Sequence, residues 1–112
     1  MKSEKIIILG LTGSGKNKIA HDLFKKGLVM PKKITTNPYF DKFKYNIVSN
    51  SYFDALIDTN KLATYCSYTQ NNFIFYEGIT KENLKKGQVF ILSTKEYNQL
   101  DKKKNKLFIV LF

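Results

Sequence analysis

The chain has 112 residues, enough for one domain with a single core and too few for two. Hydrophobic residues make up 43% and charged ones 25%, the balance of an ordinary soluble globular protein. All 19 basic residues are lysine, against 9 acidic residues, so the formal charge of +10 is carried without a single guanidinium. This excludes a bidentate arginine clamp on phosphate anywhere in the chain. Such an excess of positive charge attracts nucleotides or nucleic acid. Lysine and asparagine enrichment also follows from genome base composition, and net charge alone does not separate the two. Cys66 is the only cysteine and His21 the only histidine, which excludes an internal disulfide framework and any multi-histidine metal site. The first apolar run stops at Gly10, well short of a signal core or a membrane span, so a cytoplasmic protein with no membrane segment is expected.

In chain order, Lys5–Leu9 is an apolar, β-branched run and predicts a buried central strand. After a glycine-rich stretch, Lys16–Lys26 predicts a helix with Ile19, Ala20, Leu23 and Phe24 on one face, stopped by Gly27. His21 sits at the border of that face as a helix residue with no special role. Lys32–Thr36 predicts a second strand, closed by the turn signal Asn37-Pro38. Phe43–Val48 alternates large apolar and polar residues and predicts a half-buried strand. Ser49 or Asn50 can cap a helix over Tyr52–Asp58, with an apolar stripe of Phe53, Leu56 and Ile57. Lys61–Tyr68 and Asn72–Tyr76 predict two antiparallel strands joined through Thr69–Asn71. A short helix over Thr80–Lys86 ends at Gly87, and Gln88–Leu92 predicts a further buried strand. Helix over Lys95–Leu100, a charged turn at Asp101–Lys106 and a last buried strand over Leu107–Phe112 complete the chain. Three apolar strands interleaved with helices imply an α/β protein: a parallel sheet flanked by helices, with a small antiparallel β lobe in the middle of the chain.

The chemistry is concentrated at the first glycine stretch. Gly10, Gly15 and Lys16 match G-x-x-x-x-G-K, and Gly13 adds a further glycine. The context is the one the mechanism needs: a buried strand before and a helix after. Glycines let main-chain N–H groups turn inward around phosphate oxygens, the helix start adds its positive dipole end, and Lys16 reaches the terminal phosphate. Gly10, Leu11, Thr12, Gly13, Ser14, Gly15, Lys16 and Asn17 are therefore candidate nucleotide-binding residues, with Lys16 the one catalytic candidate. Asn17 stands where Ser or Thr normally gives a hydroxyl to Mg²⁺, so phosphate binding is better supported than metal-assisted transfer.

From this loop onward the landmarks resemble guanylate kinase. Thr35-Thr36-Asn37 stands at that family's Thr-Thr-Arg turn, and Tyr45-Asn46-Ile47-Val48-Ser49 at its Tyr-x-Phe-Val-Ser strand. Asn60–Tyr65 is similar to its Gly-Glu-Phe-Leu-Glu-Trp segment, and Leu84, Gly87 and Val89–Leu92 to its helix, glycine and strand. The resemblance covers nearly the whole chain but only the first part of the family's domain; the lid and the adenine-side helices would lie beyond Phe112. It implies a single guanylate-kinase-like domain over residues 1–112, with residues 33–77 as the monophosphate lobe and Thr36, Asn37, Tyr45 and Thr64 as candidate substrate-binding positions. Of these only Tyr45 keeps the family residue. Asn37 replaces an arginine and Thr64 the guanine-binding glutamate. Phe73 and Phe75 replace the tyrosine and serine that hold the monophosphate, and Ser93 and Lys95 stand at the two aspartates.

Three functional readings follow. The first is a nucleotide-binding protein of guanylate kinase type that takes ATP or GTP, with or without Mg²⁺, and carries residual or altered phosphoryl transfer. The second is an inactive pseudo-kinase serving as a protein-binding module, using the aromatic group Tyr65, Tyr68, Phe73, Phe75 and Tyr76. At least half of that group is expected to form the core of the lobe. The third is a basic nucleic-acid-binding protein, supported only by lysines such as Lys102–Lys104, since no such motif is present. The apolar C-terminal strand leaves room for a homodimer.

Overall fold

The computed structural model describes residues 3–9, 16–100 and 105–111, and of 3–4, 16–17, 19–20 and 105–111 the backbone alone. The chain divides into two compact units, residues 1–31 with 85–112, and residues 32–84.

The first unit is built on a three-stranded parallel sheet. β1 (Ser3–Leu9) is central, flanked by β6 (Val89–Ile91) and β7 (Asn105–Leu111). Ile7 faces Phe90 in one register and Ile109 in the other. Ile7 and Ile8 are wholly buried, as a strand covered on both faces requires. α1 (Lys16–Lys25) follows β1 and packs against the sheet through Leu23, which joins Leu28 and Met30 over Ile8 and Val89. It ends in a Schellman motif. Gly27, at φ +88°, donates to the Phe24 carbonyl at 3.0 Å, and Leu28 donates back to Leu23 at 3.3 Å. α3 (Lys81–Lys86) leads into β6, and α4 (Thr94–Gln99) lies between β6 and β7.

Two charged residues are buried among the described residues of this unit, Lys5 and, on α4, Glu96. Lys5, only 2% exposed, donates from Nζ to the carbonyls of Gly87 at 2.6 Å and Lys85 at 3.1 Å, just past the end of α3 and within its last turn. Burial holds its ammonium below the ordinary lysine pKa. The cation offsets that cost by satisfying two carbonyls where the negative end of a helix leaves them exposed.

The second unit is a four-stranded sheet in the order β3-β2-β5-β4. β2 (Lys33–Thr35) and β3 (Tyr45–Ile47) are short, and β4 (Leu62–Gln70) and β5 (Phe73–Thr80) form a long hairpin. The hairpin turns through Asn71 and Asn72, both with positive φ (52° and 69°), a two-residue turn whose twist matches the strands. It begins two residues later than the turn expected at Thr69–Asn71. α2 (Asn50–Asp58) is capped by Ser49, whose Oγ accepts from Tyr52 N at 3.1 Å. It lays Phe53, Leu56 and Ile57 against Ile34, Leu62 and Tyr76. Its end is again a Schellman motif, with Asn60 at φ 57° in the place of glycine.

The lobe differs from the expected antiparallel one in a specific way: β3 runs parallel to β2, with Lys33 facing Tyr45, and only the β2–β5 and β5–β4 pairings are antiparallel. The strand expected to start at Phe43 starts instead at Tyr45. Asp41 holds the preceding residues in a turn: Oδ1 accepts from Phe43 N at 2.8 Å, and its carbonyl accepts from Lys44 and Tyr45 at 3.1 and 2.9 Å. Phe43 is left 90% exposed.

Candidate nucleotide site

In sequence the candidate phosphate loop lies between the end of β1 at Leu9 and the start of α1 at Lys16. Strand order β6-β1-β7 means that the chain leaves β1 toward β6 on one side and later crosses to β7 on the other. In such sheets ligands bind in the crevice outside the carboxyl end of the strand where the order reverses. That strand is β1, and residues 10–15 connect its carboxyl end to the first turn of α1. Gly10, Leu11, Thr12, Gly13, Ser14 and Gly15 themselves lie outside the described residues. Lys16 and Asn17 open α1, and their side chains lie outside the description too.

Downstream of β6, Ser93, where the resemblance puts a first aspartate, serves as a helix cap. Ser93 Oγ accepts from Glu96 N at 3.2 Å and donates to Glu96 Oε1 at 3.5 Å, which starts α4. Lys95, at the second aspartate's position, is an exposed cation. With Asn17 in place of the hydroxyl residue, these side chains do not make the hard oxygen set that magnesium takes. No step through a metal follows from them.

In the second unit the structure gathers Asn37, Tyr68, Phe40 and Tyr45 into one connected group. Asn37 is 1% exposed and fully engaged within the lobe. Its Nδ2 donates to Tyr68 Oη at 3.0 Å and to Gln70 Oε1 at 3.1 Å, while Oδ1 accepts from Tyr39 N at 3.0 Å. Its own N–H donates to Thr35 Oγ1 at 3.1 Å. Burial, more than any neighbour, pushes the Tyr68 hydroxyl above the ordinary tyrosine pKa, against the hydrogen bonds from Asn37 and Thr35 that favour the phenolate. The Phe40 ring stacks on Tyr68 at 5.8 Å and tilts against Tyr45 at 4.8 Å.

Thr36 completes the sheet. Its N–H donates to the Tyr76 carbonyl and its Oγ1 accepts from Tyr76 N, both at 3.0 Å. Thr64 is wholly buried on β4, opposite Ile79 and beside a bulge where Gly78 brings the strands close. Of the four candidate substrate positions, Thr36, Asn37 and Thr64 thus build the lobe, and Tyr45 lines an open cleft.

That cleft, of about 500 Å³, is bounded by Lys32, Pro38, Lys42, Tyr45, Asn46 and Ile47. Lys32 and Lys42 are exposed. Lys33, by contrast, is paired with Glu77 at 3.4 Å, both side chains largely buried. Charge for an anion is therefore offered by Lys32 and Lys42, which the motif comparison alone did not single out as a pair. Lys42 follows Asp41, whose turn chemistry is the sequence signal that places it there. The aromatic group divides. Tyr76 packs on Phe53 at 5.6 Å and Phe75 on Tyr68 at 5.9 Å, whereas Phe73 is 67% exposed.

The parallel β6-β1-β7 sheet, with a mixed β lobe inserted in the sequence between α1 and α3, makes an α/β fold. Among solved structures the chain is similar to guanylate kinase from Anaplasma phagocytophilum, with a TM-score of 0.66 at 10% identity over 98% of this chain and 60% of that one. The chain thus spans three-fifths of that kinase's length, and at this identity the likeness is one of fold. No protein-family model matches the sequence, and no curated protein matches it. No helix among the described residues is long and apolar enough to cross a membrane.

Proposed function

We propose that this chain is a nucleotide-binding protein on a guanylate-kinase-like scaffold that holds phosphate without transferring it efficiently. The observation that carries the reading is the position of Gly10–Lys16. The sequence GLTGSGK spans from the carboxyl end of the central strand β1 into the start of α1, where a phosphate-cradling loop works. In this reading the loop and Lys16 take the polyphosphate of ATP or GTP. Lys32, Lys42 and the Tyr45 hydroxyl take a second phosphate at the cleft, as point charges in place of arginine forks. Thr36, Asn37 and Thr64 shape the lobe behind it.

Weak catalysis follows from the same residues. The transferring phosphoryl group needs cations and a metal to stabilise its charge, and loss of one such cation costs about a thousandfold or more in rate. The sequence has no arginine, and Ser93 and Lys95 stand where the resemblance puts two aspartates. Calorimetry with GMP, GDP, GTP and ATP, with and without Mg²⁺, tests the reading. Saturable binding that Lys16→Ala abolishes supports it, and silence at millimolar nucleotide sinks it.

A further inference from the structure

The hairpin β4–β5 departs in composition from the rest of the chain. From Leu62 to Thr80 there is no lysine, and the only charged residue is Glu77, already paired with Lys33. Among the described elements it is the longest stretch with almost no charge in a chain of net charge +10.

β4 is also an edge of its sheet. Hydrogen bonds fix which of its backbone groups point outward. Tyr76 bonds to Thr36, the residue just after β2, so the backbone groups of the even-numbered residues of β5 face β2 and those of the odd-numbered ones face β4. With Cys66 opposite Glu77 and Tyr68 opposite Phe75, the even-numbered residues of β4 after the bulge bond to β5. The N–H and C=O of Ser67 and Thr69 therefore point away from the sheet, and both residues are exposed.

Natural edges are protected by short length, by lysine or proline, or by bulges. The other edges here have such protection. β3 and β6 are three residues long, and β7 contains Lys106 and follows Lys102–Lys104. β4 runs nine residues without lysine or proline, and its bulge lies at its start, between Leu62 and Thr64.

We propose that β4 pairs with β4 of a second copy of this chain, antiparallel, across a two-fold axis at Ser67. Ser67 is the midpoint of the regular stretch Thr64–Gln70, and its outward N–H and C=O meet those of the other Ser67 as a hydrogen-bonded pair. A second copy fits better than an acidic partner, which the lysine-rich remainder of the surface would draw elsewhere. Two copies can meet along this strip without setting lysine against lysine. The two-fold arrangement is also self-complementary in side chains. It sets Thr69 opposite Tyr65 of the other copy, continuing the row from Ile74, which is opposite Thr69 within the hairpin. Ile74 is 62% exposed and Tyr65 39% in the single chain.

Light scattering over a concentration series from low micromolar to near millimolar tests this in the absence of nucleotide, so its outcome is independent of the nucleotide reading. The wild type should rise from 13.0 kDa toward twice that mass. Ser67→Lys sets like charges opposite each other and should weaken association at least tenfold, while Thr69→Pro removes an outward N–H with the same result. Circular dichroism matching wild type shows that the variants fold. Mixing S67K with S67E should restore the dimer, because the two-fold brings the unlike residues together. A wild type that stays at 13.0 kDa throughout, or folded S67K that associates as tightly as wild type, overturns the proposal.

Discussion

Asn37 Nδ2 donates to the Tyr68 hydroxyl at 3.0 Å, joining the turn after β2 to the distant strand β4. The position at which the resemblance puts a phosphate-gripping arginine is thus the centre of a buried polar network. Replacing Asn37 by Ala removes donors to Tyr68 and Gln70 and an acceptor for Tyr39 N, in a site with almost no solvent. Unfolding in denaturant should show a loss of about 1–3 kcal/mol. A change within a few tenths of wild type would mean the network is not formed.

The same network makes stability depend on alkaline pH. Tyr68 has its pKa raised above the ordinary 10.0 in the fold, chiefly by burial. The unfolded chain therefore gives up this proton first, and above pH 10.0 it binds fewer protons than the native state. The Tyr68 contribution is fully present below that pH and is lost as pH rises through the folded pKa. Denaturation midpoints of wild type should fall more steeply in this window than those of Tyr68→Phe; parallel curves would contradict the assignment.

Gly78→Ala should destabilise the lobe. A Cβ there would lie 2.5 Å from the Thr64 carbonyl oxygen, which is backbone and cannot swing aside. Either the strands part at the bulge or the pairing slips, at a cost of about 1–3 kcal/mol in thermal or chemical unfolding.

Lys5→Met keeps the apolar stem and removes the ammonium, leaving the Lys85 and Gly87 carbonyls without their donor. The expected loss is about 1–3 kcal/mol, seen as a lower denaturant midpoint. An unchanged or higher midpoint would show that desolvation of the cation outweighs its hydrogen bonds.

Much of this architecture was legible in the residues. Gly27, Ser49 and Gly87 mark helix ends for local steric and capping reasons, and the apolar runs around Ile7 and Phe90 can be buried only in a covered parallel sheet. What escaped was set by turns and by partners distant in sequence. Asp41 delays β3 by folding its own chain back, which periodicity over Phe43–Val48 does not reveal. The Asn71-Asn72 turn was marked by a residue type that tolerates positive φ, and it lengthens both hairpin strands. In the site, Tyr45 was found by resemblance, but the separation of Lys33 from Lys32 and Lys42 depends on Glu77, a residue 44 positions away in a strand that pairs with β2. No local pattern encodes that choice.

Whether Gly10–Lys16 holds nucleotide phosphate is decided by titration calorimetry of wild type against Lys16→Ala. The wild type should bind a nucleoside triphosphate saturably, and Lys16→Ala should lose that binding while keeping its unfolding midpoint. Equal binding by both proteins, or none by the wild type at millimolar nucleotide, would contradict phosphate binding by the loop.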